Sequence, residues 1–132
     1  MNGLLKYFAR YQLPAIIWAL VNFAASSIPA SRLPHFTAMV NDKIIHASIF
    51  FILGLLVYRA LEPRHQVNKF NWSRLVIAVA AVIIYGVTDE FHQAFVPGRN
   101  VDVLDALADA MGGLLAATII YLQSNRKSQA KA

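Results

Sequence analysis

Four apolar runs, at 11–28, 44–61, 75–91 and 103–122, are separated by short stretches that hold nearly all of the charge. A helix needs roughly 20 apolar residues to cross a bilayer, within a range of about 17–25, so each run lies near the short limit. Hydrocarbon offers no water to backbone N–H and C=O groups, so runs of this kind fold as helices. The expected fold is therefore all-α: a membrane bundle of four transmembrane helices in one domain, 1–124, followed by a polar tail, 125–132, that frays. Composition agrees. The 132 residues are 58% hydrophobic and 14% charged, against about 45–50% apolar and about 25% charged in a soluble domain. There is no cysteine, hence no disulfide framework and no thiolate chemistry.

The connections carry breaker signals. Ser26-Ser27-Ile28-Pro29 closes the first run and Pro34 keeps the next loop open. Glu62 precedes Pro63, which disfavours continuation of the second helix. Pro97-Gly98 turns the chain before the fourth. Lys6 and Arg10 ahead of the first run resemble the start of a signal peptide, but the run is long for one and its cleavage pattern is poor, so a retained helix is expected. Arg59 and Arg74 flank short spans and should extend to the interface.

The net charge of +5 is spread as small clusters between apolar runs, the pattern that encodes membrane topology. No basic helix face with interleaved aromatics is present, which argues against nucleic acid as a partner and for anionic membrane lipids. Nine of the 12 Lys and Arg residues fall in the N-terminal arm, the middle loop and the tail, and three, Arg32, Lys43 and Arg99, on the other side. By this bias the chain sits in a cytoplasmic membrane with both ends inside. Tyr7, Tyr11, Tyr58, Trp72 and Tyr121 fall at the same inner ends, as belt residues do.

Six of the seven acidic residues then gather at the outer ends: Asp42, Asp89, Glu90, Asp102, Asp105 and Asp109, with His46 and His92 among them. Carboxylates there are costly and mark a site. Asp42 and His46 are four apart and share a helix face. Asp42 also complements a helix N-terminus, with Asn41 as its cap. On the third run, Tyr85, Thr88, Asp89 and His92 form one stripe, and Gly86, Glu90 and Gln93 the next. On the fourth, Asp102, Asp105, Asp109, Gly112 and Ala116 form a single stripe. Asp102 suits an N-cap, whereas Asp109 lies about 10 Å further down the helix and cannot serve as one. Ala108, Gly112 and Ala116 make a face of small residues that lets helices approach closely. Arg99 suits either a bidentate grip on phosphate or carboxylate, or a structural clamp on Asp102 or Glu90.

Asp42-Lys43-x-x-His46, Tyr85-Gly86-x-x-Asp89-Glu90-x-x-Gln93, Pro97-Gly98-Arg99, Asp102-x-x-Asp105 and the later Gly112 resemble the VanZ-like family, as does the Ser26-Ser27-x-Pro29 end of the first run. The resemblance covers nearly the whole chain. It implies a small multi-pass protein of the bacterial inner membrane, in a family whose founding member is associated with teicoplanin resistance. Asp109 departs from the small or amide residue that the resemblance implies at this position.

These observations lead us to expect an outward pocket built from the tops of the last three helices, with the first helix as a brace. Its binding residues are Asp42, His46, Asp89, Glu90, Gln93, Arg99, Asp102, Asp105 and Asp109, and its ligand an envelope lipid, a lipid-linked wall precursor or a glycopeptide. The alternative is an outer-leaflet enzyme with His46, Glu90 and Asp105 as catalytic candidates and a divalent cation as cofactor. A proton or ion path is disfavoured because the inner halves of the runs are Leu, Ile, Val and Ala, with no relay through them.

Overall fold

A computed structural model describes residues 2–32, 39–65 and 69–130, with backbone alone at 39–41. The expected cap at Asn41 and the loop position of Pro34 lie outside the described side chains and residues. Five α-helices make up the described chain: α1 (Gly3–Tyr11), α2 (Leu13–Ser26), α3 (Met39–Ala60), α4 (Trp72–Gln93) and α5 (Val103–Gln129), with a short 3-10 turn at Ala30–Arg32 and no strand among the described residues. Three of the helices, α3 from Asp42, α4 and α5, are long and apolar enough to cross a membrane.

The first run is not one long span. Its helix, α2, has 14 residues, about 21 Å at 1.5 Å per residue, short of a hydrocarbon core about 30 Å thick. Ahead of it, and not foreseen, the N-terminal arm forms α1. The two meet at Gln12, just before Pro14 in the first turn of α2. Proline is tolerated there because the N–H it lacks has no intrahelical partner anyway. α3 starts before 44 and ends at Ala60, α4 exceeds 75–91 at both ends, and α5 starts at Val103 as expected. α4 begins at Trp72 because Asn71 caps it, its side chain accepting the N–H of Arg74 at 2.8 Å. α5 begins after Asp102, which accepts the N–H of Leu104 at 2.8 Å. The tail after Leu122, expected to fray, instead continues α5 to Gln129.

α3 and α5 form the most intimate pair. Ala108, Gly112 and Ala116 are buried, as their stripe implies. At Gly112 the α3 backbone comes so close that a Cβ would overlap the Ala47 carbonyl. Gly54 faces Ala116 in the same manner, with 2.9 Å between an added Cβ and the alanine methyl. Phe50, Leu53 and Val82 fill the centre of the bundle, with Trp18, Ile49, Val57 and Tyr85 packed on them. α2 is pinned to this core by two polar bonds: Trp18 donates to the Ile49 carbonyl at 3.1 Å, and Tyr85 donates to the Ala19 carbonyl at 2.7 Å. The outer faces of α4 and α5 remain apolar, with Val76, Ile84, Phe91, Met111 and Leu115 among the exposed side chains. Apolar area on this scale is out of place in water and suits lipid tails.

The ends of the bundle differ chemically. Acids and His46 gather where α2 and α4 finish and α3 and α5 begin. Lys and Arg gather at the opposite end, with Phe70, Trp72 and Tyr121 in mutual ring contact at centroid distances of 5.2 to 6.1 Å. Arg59 is exposed there, as expected. Arg74 is not: its guanidinium lies 4.3 Å from the Tyr58 ring centroid and the residue is buried.

Candidate functional site

Lys43 stands in the first turns of α3 and reaches across to α5. Its Nζ donates to Asp102 Oδ2 at 2.5 Å and to Asp105 Oδ1, and lies 3.9 Å from Asp42. One lysine thus ties three carboxylates from two helices. It holds the Asp102 carboxyl below the usual carboxylate range by hydrogen bond and charge, with the Leu104 N–H adding to the effect. One turn deeper on α3, His46 Nδ1 lies 3.0 Å from Asp109 Oδ1, and its Nε2 lies 3.9 Å from Asp105 Oδ1. Asp109 is fully buried. It can be so because Gly86 on α4 leaves it room: a Cβ there would come within 3.1 Å of Asp109 Oδ2.

Glu90 enters from α4. Its Oε2 accepts the Asp102 N–H at 3.0 Å. Its Oε1 and Asp109 Oδ2 are both buried without a hydrogen-bond partner among the described residues. His46, Glu90 and Asp109 each bring one donor atom within 4.8 Å of the others, and so do Asp42, His46 and Asp105. A carboxylate oxygen shut away from water without a partner is destabilising. Two such oxygens beside an imidazole are satisfied by a proton or by a cation. The donor set, nitrogen with carboxylate oxygens, suits divalent ions of the zinc and manganese kind.

The structure therefore brings together Asp42, His46, Glu90, Asp102, Asp105 and Asp109. Asp89 and Gln93 form a neighbouring buried pair: Asp89 accepts Gln93 Nε2 at 3.1 Å and the Ser26 hydroxyl at 2.6 Å. Ser27 meets His92 at 2.9 Å. The end of α2 is thus part of the acidic end and more than a brace. Arg99 stands apart. Its Nε donates to the Ile28 carbonyl at 3.3 Å, tying the α4–α5 loop to the end of α2. Gly98, at φ 75°, makes the turn that presents it. The acidic centre is also more closed than the expected cup, for Asp89, Glu90, Gln93, Asp105 and Asp109 are all buried. Lys43 and Ser26 were missed as site residues. Their signals were present: a lysine between Asp42 and His46, and paired serines at the end of an apolar run.

Three long apolar helices, closed at one end by a buried knot of carboxylates, have the make-up of a multi-pass membrane protein. The chain belongs to the VanZ/LLP1 family, whose model matches residues 6–124. It is similar to an uncharacterized protein of the yeast Schizosaccharomyces pombe, 30% identical over 122 residues that cover 92% of this chain and 67% of the yeast protein. No solved structure matches the chain.

Proposed function

We propose that the acidic end binds a divalent cation and, through it, the phosphate of a membrane lipid headgroup on the outer side of a four-crossing bundle whose two ends are cytoplasmic. One observation carries this reading: Glu90 Oε1 and Asp109 Oδ2 are buried, without a partner among the described residues, and grouped with His46. An anionic ligand cannot approach six carboxyl groups directly, and Lys43 is already shared among three of them. A bound cation reverses the local sign and gives phosphate a partner. Among the envelope ligands considered, a lipid headgroup suits the family better than a wall precursor or a glycopeptide, because a relative occurs in a yeast, which has no peptidoglycan. A bacterial setting and a part in teicoplanin resistance rest on the family resemblance alone.

A second reading, acid–base chemistry on that lipid, is favoured by the His46–Asp109 contact at 3.0 Å. A buried carboxylate fixes one ring nitrogen and leaves the other to move a proton, as in hydrolytic triads.

The test is a titration of the chelator-treated protein with manganese and zinc in detergent, read by thermal unfolding and by elemental analysis. Saturable stabilisation is expected, about 2.7 kcal/mol at a hundredfold excess over the dissociation constant. Asp109→Asn should abolish the response, because an amide does not supply the carboxylate charge that the cation needs. No metal-dependent shift in the wild type, with no metal retained, sinks the proposal.

A further inference from the structure

At the end of the bundle away from the acids, a cavity of about 590 Å³ opens between α1, α3, α4 and α5. Its volume falls in the range of about 300–1,000 Å³ usual for small-molecule sites. Arg10, Arg59, Lys69, Arg74 and Lys127 line it, with Glu62 as the one acid among the described residues of the wall. They come from α1, α3, the α3–α4 loop, α4 and α5, so the positive charge converges from five parts of the chain. Arg10, Arg59, Lys69 and Lys127 are exposed around the hollow, and Arg74 is buried in its wall.

Arg74 sets this cavity apart from a basic fringe. The residue is 6% exposed and lies against the face of Tyr58. One terminal nitrogen, Nη2, donates to the Tyr58 hydroxyl at 2.8 Å and to the Lys69 carbonyl. The other, Nη1, lies 3.8 Å from Glu62. Its Nε is buried with no acceptor among the described residues. Arg74 lines a hollow in which five cations face one acid among the described residues, a setting that favours an anion with several oxygens. Tyr11, Phe70 and Ile120 supply apolar wall beside it, and Trp72 and Tyr121 mark the belt level nearby.

We propose that this basic cavity binds a phosphate anion, carried by the headgroup of an acidic phospholipid in the leaflet on that side. The phosphate sits among Arg59, Arg74 and Lys127, and the acyl chains leave along the apolar surface of α5. The extension of α5 to Gln129 gains a purpose from this, since it places Lys127 in the wall. Arg10 does the same for α1. The site is independent of the acidic end and needs no divalent cation.

The experiment uses the full chain in detergent micelles with a chelator present throughout, which silences the acidic end. The probes are inorganic phosphate, phosphatidic acid, and phosphatidylcholine as the zwitterionic control, read by thermal unfolding and native mass spectrometry. Saturable binding of phosphatidic acid without binding of phosphate assigns the lipid as the source. Binding of both assigns the phosphate group itself as the recognised element. Arg59→Gln and Lys127→Gln should each weaken binding about fivefold, and the double variant about 25-fold. Both residues are exposed, so these variants fold, unlike changes at buried Arg74. Asp109→Asn should leave the affinity unchanged. Phosphatidic acid binding no better than phosphatidylcholine, or binding indifferent to the double variant, overturns the assignment.

Discussion

Asp102 does two things at once. Its Oδ1 accepts the Leu104 N–H and starts α5, and its Oδ2 accepts from Lys43 and joins α5 to α3. The N-cap expected at Asp102 is present, and as a candidate site residue it lies beside Lys43, a partner that neither reading supplied. Residue types and their helix faces are written in the sequence; which cation meets which acid depends on how two helices are rotated, and that is not. Arg99 shows the converse, for its suitability for carboxylates is real while its position puts it on a backbone carbonyl. Lys43 and the Leu104 N–H favour the charged form of Asp102, so its folded pKa lies below the ordinary 3.8. A depressed carboxyl pKa stabilises the fold above the unfolded value and loses that contribution as pH falls through the folded one. Unfolding midpoints of wild type and Asp102→Asn should therefore differ most above pH of about 4 and converge as the pH falls further. A gap that stays constant down to acid pH removes Lys43 as its cause.

At the scale of the helix, the stripe of small residues on α5 decides how the acids meet. The stripe was legible because its three- and four-residue spacing survives in any helix. The residues after Leu122 and the arm before Tyr11 are helical too. The tail is polar and the arm amphipathic, and both contribute to the wall of the basic cavity. Gly112 and Gly113 allow a comparison on adjacent residues. A Cβ at Gly112 meets α3 backbone, whereas a Cβ at Gly113 meets a methyl of Val82. The overlap at Gly112 is with backbone and is the deeper of the two; at Gly113 the added Cβ stays 2.8 Å from the core side chain of Val82. Gly112→Ala should therefore cost about 1–3 kcal/mol or more, and Gly113→Ala clearly less. Because the first change pushes α3 off α5, it should also weaken any cation response that depends on His46 and Asp109. Equal midpoints for the two variants in detergent melts contradict this packing.

For the whole molecule, the path of α2 sets the topology. Tyr11, just before it, lines the basic cavity, and Ser26, at its end, bonds to Asp89 among the acids. With 14 residues, α2 passes from one end of the bundle to the other beside α3 and α4, although it is too short to match a full hydrocarbon thickness. In the four-crossing arrangement proposed above, local thinning of the bilayer and a surface position of α1 would accommodate such a mismatch. It follows that α1 and the last turns of α5 share the basic end, while the α4–α5 loop lies at the acidic end. In the orientation proposed above, the excess of Lys and Arg puts the basic end in the cytoplasm. Having no cysteine, the chain can be probed without background labelling. Asn2, Asn100 and Gln129 are exposed and serve as single-cysteine positions. In intact cells an impermeant maleimide should label Asn100→Cys, and should reach Asn2→Cys and Gln129→Cys only after the membrane is opened. Labelling of Asn2→Cys from outside together with Asn100→Cys would mean that α2 does not cross, leaving three spans and placing the two ends of the chain on opposite faces. The outward acidic site survives that result; a basic cavity built jointly by α1 and α5 does not, because its walls would then be on different sides of the bilayer.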